Sequence, residues 1–201
     1  MTHTIIVPGV GGSEYDHWQS WLQRQLMSCT RVEQQNWNLP ILDLWVENFV
    51  NTVAKINQPL QIVAHSFGCL TTLAALDHHP ELKSRVKNLV LVAPANPSRF
   101  AKTGFAQQDQ NHYLAYFQQL TIDVPTTLLI SENDPWLNFN DATALAKAWN
   151  IDAINMGKVG HINVASGFGP FPALHDFLIS ENSKQHISIT DDSKYLFKFA
   201  I

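Results

Sequence analysis

Gln61-Ile-Val-Ala-His-Ser-Phe-Gly68 decides the reading of the chain. Gln61-Ile-Val-Ala64 is a short apolar run of the kind that forms a buried strand. Beyond Ser66, the residues Leu70, Leu73, Ala74 and Leu76 recur at helical spacing up to Pro80. A serine between a strand and a helix, with a small residue two positions before it and glycine two after, has the setting of a nucleophile elbow. The small residues are a steric requirement, because the turn is strained and larger side chains would strike the adjoining strand or helix. Ala64 stands where glycine is more usual and is the next smallest residue. A serine capping an ordinary helix would satisfy the same letters, so the surrounding chain has to decide.

Outward from this segment, strand-like runs alternate with helix-like ones, the pattern of a parallel sheet covered by crossover helices. Ile5-Ile-Val7 reads as a strand, Pro8-Gly-Val-Gly-Gly12 as a turn, and Trp18, Trp21, Leu22, Gln25 and Leu26 as one face of a helix. A weaker strand is expected from Arg31 to Trp37, then a helix from about Ile41 to Lys55. Further strands are expected over Val86 to Val92, Thr126 to Ile130 and Ala153 to Met156. The helices expected beside them are Tyr113 to Leu120, Asp141 to Trp149 and Ala173 to Ile179. Residues 94–112 lack periodicity and form a candidate lid or cap. The fold expected is α/β, of the α/β-hydrolase kind: a mostly parallel sheet flanked by helices on both faces.

The 201 residues, 45% of them hydrophobic, suit one domain, set at 1–180 with a tail at 181–201. In the tail, Ile187, Ile189, Tyr195, Phe197 and Phe199 alternate about a polar turn at Asp191-Asp-Ser193. That pattern reads as a β-hairpin or, failing that, as an unstructured terminus. An ordered tail would cover a sheet edge or a partner subunit, which leaves a homodimer open. A net charge of -4 without any dense Lys/Arg run argues against nucleic acid and against anionic membrane. Two cysteines, no basic leader and no long apolar run point to a cytoplasmic protein with no disulfide framework.

A serine hydroxyl becomes a nucleophile when an imidazole accepts its proton, and the imidazole works best when a carboxylate fixes its tautomer. In this fold the order along the chain is serine, acid, histidine, the last two on loops after later strands. Asp134 follows the strand ending at Ile130, and His161 follows the one ending near Met156. Both fall at strand C-terminal ends, where open parallel sheets place their ligand crevices. The rival acids Asp123, Asp141 and Asp152 read more simply as cap or turn residues. His78, His79 and His175 lie on or at the end of helices, and His65 is expected to point elsewhere on the turn.

The backbone N–H groups of Val10 and Phe67 are the expected oxyanion donors, with glycines on both sides of Val10 allowing close approach to a substrate. Gly-Val-Gly-Gly lacks the Gly-Lys-Ser/Thr ending of a phosphate loop. His17 and Trp18, just beyond this turn, are candidates for the mouth of the site, and Phe67, Trp136, Phe168 and Phe171 are expected around the crevice, so a small apolar acyl or alcohol group is the expected substrate. The chemistry needs neither metal nor cofactor.

Val7-Pro-Gly, Tyr15-Asp-His-Trp-Gln-Ser-Trp21, Val63-Ala-His-Ser-Phe-Gly68, Ser131-Glu-Asn-Asp-Pro-Trp136 and Gly160-His-Ile-Asn-Val-Ala-Ser-Gly-Phe-Gly169 together resemble the small serine hydrolases related to retinoblastoma-binding protein nine. The resemblance spans roughly residues 3–180. It implies a compact α/β-hydrolase with a reduced cap and a triad on Ser66, Asp134 and His161, and its members are mostly esterases or general serine hydrolases. The Leu-x-Cys-x-Glu peptide of retinoblastoma binding is absent from the chain, so that partner is not implied. An amidase or peptidase would use the same triad, and a non-catalytic binding protein could keep the same fold.

Overall fold

A computed structural model describes residues 2–100, 106 and 112–179. Six parallel strands form one sheet in the order β2-β1-β3-β4-β5-β6, with β1 His3–Val7, β2 Cys29–Arg31, β3 Leu60–Ser66, β4 Val86–Pro94, β5 Thr126–Ile130 and β6 Ala153–Asn155. The helices are α1 Trp18–Gln25, α2 Leu42–Val53, α3 Phe67–His78, α4 Tyr113–Gln119 and α5 Phe139–Ala148.

Strand side chains alternate between two cores, as the period of two requires. Ile5, Val7, Ile62, Ala64, Leu89, Leu91, Leu128 and Ile130 face α2, α3, α4 and α5. Ile6, Val63, Val90, Val92 and Leu129 face the other way, onto Trp18 and Leu22 of α1 and onto Phe171, Leu174 and Phe177. Both faces of the central strands are therefore dry, which explains their unbroken apolar runs. Helix α3 is apolar nearly all round and has ten buried residues, because it lies between the sheet and α2.

Three expected elements differ. The strand expected at Arg31 to Trp37 is Cys29–Arg31. The chain leaves the sheet edge after Val32, and a turn follows in which Asn36 Oδ1 accepts from the Asn38 and Leu39 N–H groups. The last helix, expected at Ala173 to Ile179, is a 3-10 helix over Pro172–Phe177, where the i, i+3 pair Leu174 and Phe177 eclipses onto the sheet. Helix α5 starts earlier than Asp141, at Phe139, because the Asn138 side chain caps it by accepting from the Asp141 N–H.

Of the candidate cap, Pro97–Arg99 forms a 3-10 turn, and Phe100 is buried against Phe67 and Tyr113. Residues 101–105 and 107–111 of that segment, and the hairpin expected after residue 180, lie outside the described residues. Among the described residues no helix is long and apolar enough to cross a membrane.

Candidate active site

Ser66 ends β3 and precedes α3 with φ 53 and ψ -121, a backbone conformation that costs a non-glycine residue on the order of 1–3 kcal/mol. Close packing holds it there. A Cβ on Gly68 would lie 2.3 Å from the Val7 carbonyl oxygen and 2.6 Å from that of Pro8, and one on Gly9 would lie 2.7 Å from Ser66 Cβ. The turn after β1 thus runs directly across the elbow, and the small residues at 9 and 68 are needed for its approach.

The sheet brings the two distant loops to this point. His161 Nε2 lies 2.9 Å from Ser66 Oγ, and His161 Nδ1 lies 2.7 Å from Asp134 Oδ2. The other Asp134 oxygen accepts from the Trp136 N–H at 2.8 Å, so both carboxylate oxygens are occupied. Asp134 and His161 are buried. With a carboxylate as acceptor, Nδ1 carries the imidazole proton and Nε2 presents its lone pair to the serine hydroxyl. That arrangement can take a proton from Ser66 and return it to a leaving group. The rival acids are engaged elsewhere: Asp123 with Lys83 and Asp141 with Asn138, while Asp152 lies on a separate hollow beside α5.

A cavity of about 370 Å3 opens over Ser66, and its wall includes Val10, Phe67, His17, Trp136, Val164 and Ala165. Val10 and Phe67, the expected oxyanion donors, both lie on this wall. His17 and Trp136 reach the wall, as expected. Trp18, Phe168 and Phe171 do not. Trp18 is fully buried beneath it, stacked edge-on against Phe171, and Phe168 packs against Phe171 at 5.0 Å. The reason is the Asn163 and Ser166 capping box, which closes a 3-10 turn at Val164–Ser166 and presents Val164 and Ala165 to the cavity. Gly167, at φ 90, ends that turn, and Phe168 follows it.

His65 corrects the sequence reading most. It does not point away: strand alternation puts it on the Val63 face, its ring 4.9 Å from His161 and 4.9 Å from His17. Its Nε2 donates to the His161 carbonyl at 2.9 Å. Burial, reinforced by the neighbouring His161 and His17 rings, holds its pKa well below the usual histidine range. Burial also pushes His17 down to about 4, with smaller contributions from Arg31 and His161. Both rings are therefore neutral at pH 7.

Other supporting residues were not read from the sequence. Asn133 Oδ1 accepts from the Gly160 N–H at 2.8 Å and from Ser131 Oγ, tying the acid loop to the base loop. Buried Gln19 donates to the Val7 and Val63 carbonyls and accepts from Ser13 Oγ. Arg31 reaches from the edge strand to the Gly12 and Ser13 carbonyls. Their signal is weak because each is an ordinary polar residue next to a motif. Among the described residues no group of three or more His, Cys, Asp and Glu is placed to hold a metal ion.

Comparison with known proteins agrees with this architecture. The family model described as serine hydrolase matches residues 4–180. YdeN of Bacillus subtilis (strain 168), assigned as a hydrolase, is 25% identical over 194 residues, 92% of this chain and 99% of that one. A crystal structure of a YdeN-like hydrolase from Pectobacterium atrosepticum SCRI1043 superposes with a TM-score of 0.73 at 30% identity, covering 88% of this chain and 90% of the other. Est1E from Butyrivibrio proteoclasticus, solved with ferulic acid bound, shares the fold with a TM-score of 0.55 at 14% identity, over 81% and 82% of the two chains.

Proposed function

Since the chain belongs to the serine hydrolase family, whose model covers residues 4–180, we propose that it hydrolyses small carboxylic esters by acyl transfer through Ser66. The observation that supports this most is the unbroken hydrogen-bond chain from Ser66 Oγ through His161 to Asp134, opening on a cavity with largely apolar walls. Ser66 attacks the ester carbonyl while His161 Nε2 takes its proton. The tetrahedral oxyanion then forms beside the backbone N–H groups of Val10 and Phe67. His161 returns the proton to the departing alcohol, leaving an acyl-serine. Water, activated by the same imidazole, releases the acid and restores Ser66.

Substrate selection follows from the wall. Val10, Phe67, Ala95, Val164 and Ala165 are apolar, and Trp136 lies half-exposed at 6.5 Å from the His161 ring with the Arg99 guanidinium over its own ring at 4.7 Å. About 370 Å3 admits a short acyl or alcohol group. The two cysteines, Cys29 and Cys69, are unpaired, which supports a cytoplasmic setting.

Intact-mass analysis after incubation with a fluorophosphonate tests the nucleophile. One adduct on the native protein that is missing from Ser66→Ala is the expected result, followed by turnover of short-chain esters. A folded native protein that takes up no label and cleaves no ester would overturn the assignment.

A further inference from the structure

The turn that carries His161 is held in a strained shape by two buried donors, and we propose that His65 and Trp18 are positioning residues for this base. The proposal rests on the acyl-transfer reading above. Gly160 has φ 63 and Ile162 has φ 48, so the base sits between two left-handed residues. Glycine adopts that conformation freely, but a β-branched side chain does not, and Ile162 is also fully buried. Left to itself the segment would relax, and His161 would turn with it.

Two successive carbonyls in this segment are gripped. The His161 carbonyl accepts from His65 Nε2 at 2.9 Å, and the Ile162 carbonyl accepts from Trp18 Nε1 at 2.8 Å. A carbonyl can only accept, so His65 carries its proton on Nε2, in keeping with a ring that burial holds neutral. The donors come from the end of β3 and the start of α1, two elements anchored in the sheet and its packing, and both side chains are buried. Trp18 also stands edge-on to His65 at 5.7 Å, so the two donors brace each other. Because Ser66 and His65 are neighbours on one strand, the nucleophile and the grip on its base share a single rigid origin.

If these side chains merely filled the core, removing a donor would alter stability and leave turnover alone. As positioning residues they set kcat. His65→Phe keeps an aromatic ring and loses the N–H, His65→Gln keeps an N–H donor without the ring, and Trp18→Phe loses only the indole donor and its benzo ring. Hydrolysis of p-nitrophenyl acetate is measured for all three beside the native protein, with circular dichroism and melting to establish folding. We expect kcat to fall about tenfold to hundredfold in His65→Phe and Trp18→Phe, as a displaced base does. KM should stay within about twofold, and His65→Gln should recover most of the loss.

Folded His65→Phe and Trp18→Phe proteins with native kcat would overturn the proposal, as would His65→Gln no better than His65→Phe. Should His65→Phe fail to fold, kcat of Trp18→Phe carries the same decision. A native protein with neither ester turnover nor a fluorophosphonate adduct would overturn the acyl-transfer reading, and the proposal with it. Native turnover with undiminished variants would overturn the clamp alone.

Discussion

Ser66 and His161 face each other across 2.9 Å, yet they are held in place by different physics. The serine is seated by sterics: its strand is buried, its helix is buried, and Gly68 leaves no room for a single added carbon beside the Val7 and Pro8 carbonyls. The histidine is seated by individual hydrogen bonds on a loop: the Gly160 N–H donates to Asn133 Oδ1, His65 donates to the His161 carbonyl and Trp18 to the Ile162 carbonyl. A packed seat fails abruptly when an atom is added, because interiors are close-packed and their backbone cannot yield. A hydrogen-bonded seat degrades in steps, one donor at a time.

Under the proposed acyl transfer, the largest effect belongs to neither seat but to the groups that react. Ser66→Ala or His161→Ala should lower kcat by about six orders of magnitude, measured in steady-state ester hydrolysis. Asp134→Asn should lower it by about four, since the amide stabilises the wrong imidazole tautomer. A much smaller loss at Asp134 would mean that His161 is oriented chiefly by its backbone, and the contrast between the seats would sharpen further.

Next comes Gly68→Ala, where the added carbon meets backbone oxygens at 2.3 and 2.6 Å. Urea unfolding should show a loss of about 3 kcal/mol or more, the upper range for overpacking, with an unchanged m-value. A loss under about 1 kcal/mol would break the steric half of the comparison. Asn133→Ala removes an acceptor for the Gly160 N–H and for Ser131 Oγ, and should cost about 1–2 kcal/mol in the same measurement, with a separate fall in kcat. If kcat held while stability fell, the acid and base loops would be coupled for folding only.

The same difference explains what could be read from the sequence. The packed half was legible because packing leaves periodic traces: the apolar strand runs, the small residues about Ser66 and the placement of Asp134 and His161 after β5 and β6. The edge strand was misplaced because three half-buried residues, Cys29–Arg31, carry no such run. The hydrogen-bonded half left little trace. In sequence His65 reads only as a neighbour of Ser66 on the turn, although strand alternation with Val63 places it on the face of Trp18 and Ile162. Trp18 reads as a wall residue from its place just beyond the turn after β1, and Phe168 from its aromatic character, whereas Trp18 lies fully buried and donates to the Ile162 carbonyl. Asn133 offers only one amide among many.

The smallest expected effect tests the imidazole column between the two seats. His17 caps α1, its Nδ1 accepting from the Gln19 N–H, and burial pushes its pKa down to about 4 from an unfolded value near 6.5. The unfolded chain therefore binds more protons across that window, so stability is greatest above about pH 6.5 and is lost as pH falls toward 4. At about 1.4 kcal/mol per pKa unit, His17 accounts for up to about 3 kcal/mol of that loss, and His65 adds to it with the same sign. His17→Asn keeps a side-chain acceptor at the cap and removes the titration. Melting temperatures at pH 7 and pH 4.5 should show a smaller acid-induced drop in the variant than in the native protein, with little change at pH 7. Equal drops would mean that the acid sensitivity resides in His65 and in the carboxylates, and that His17 takes up its proton at nearly the same pH folded and unfolded.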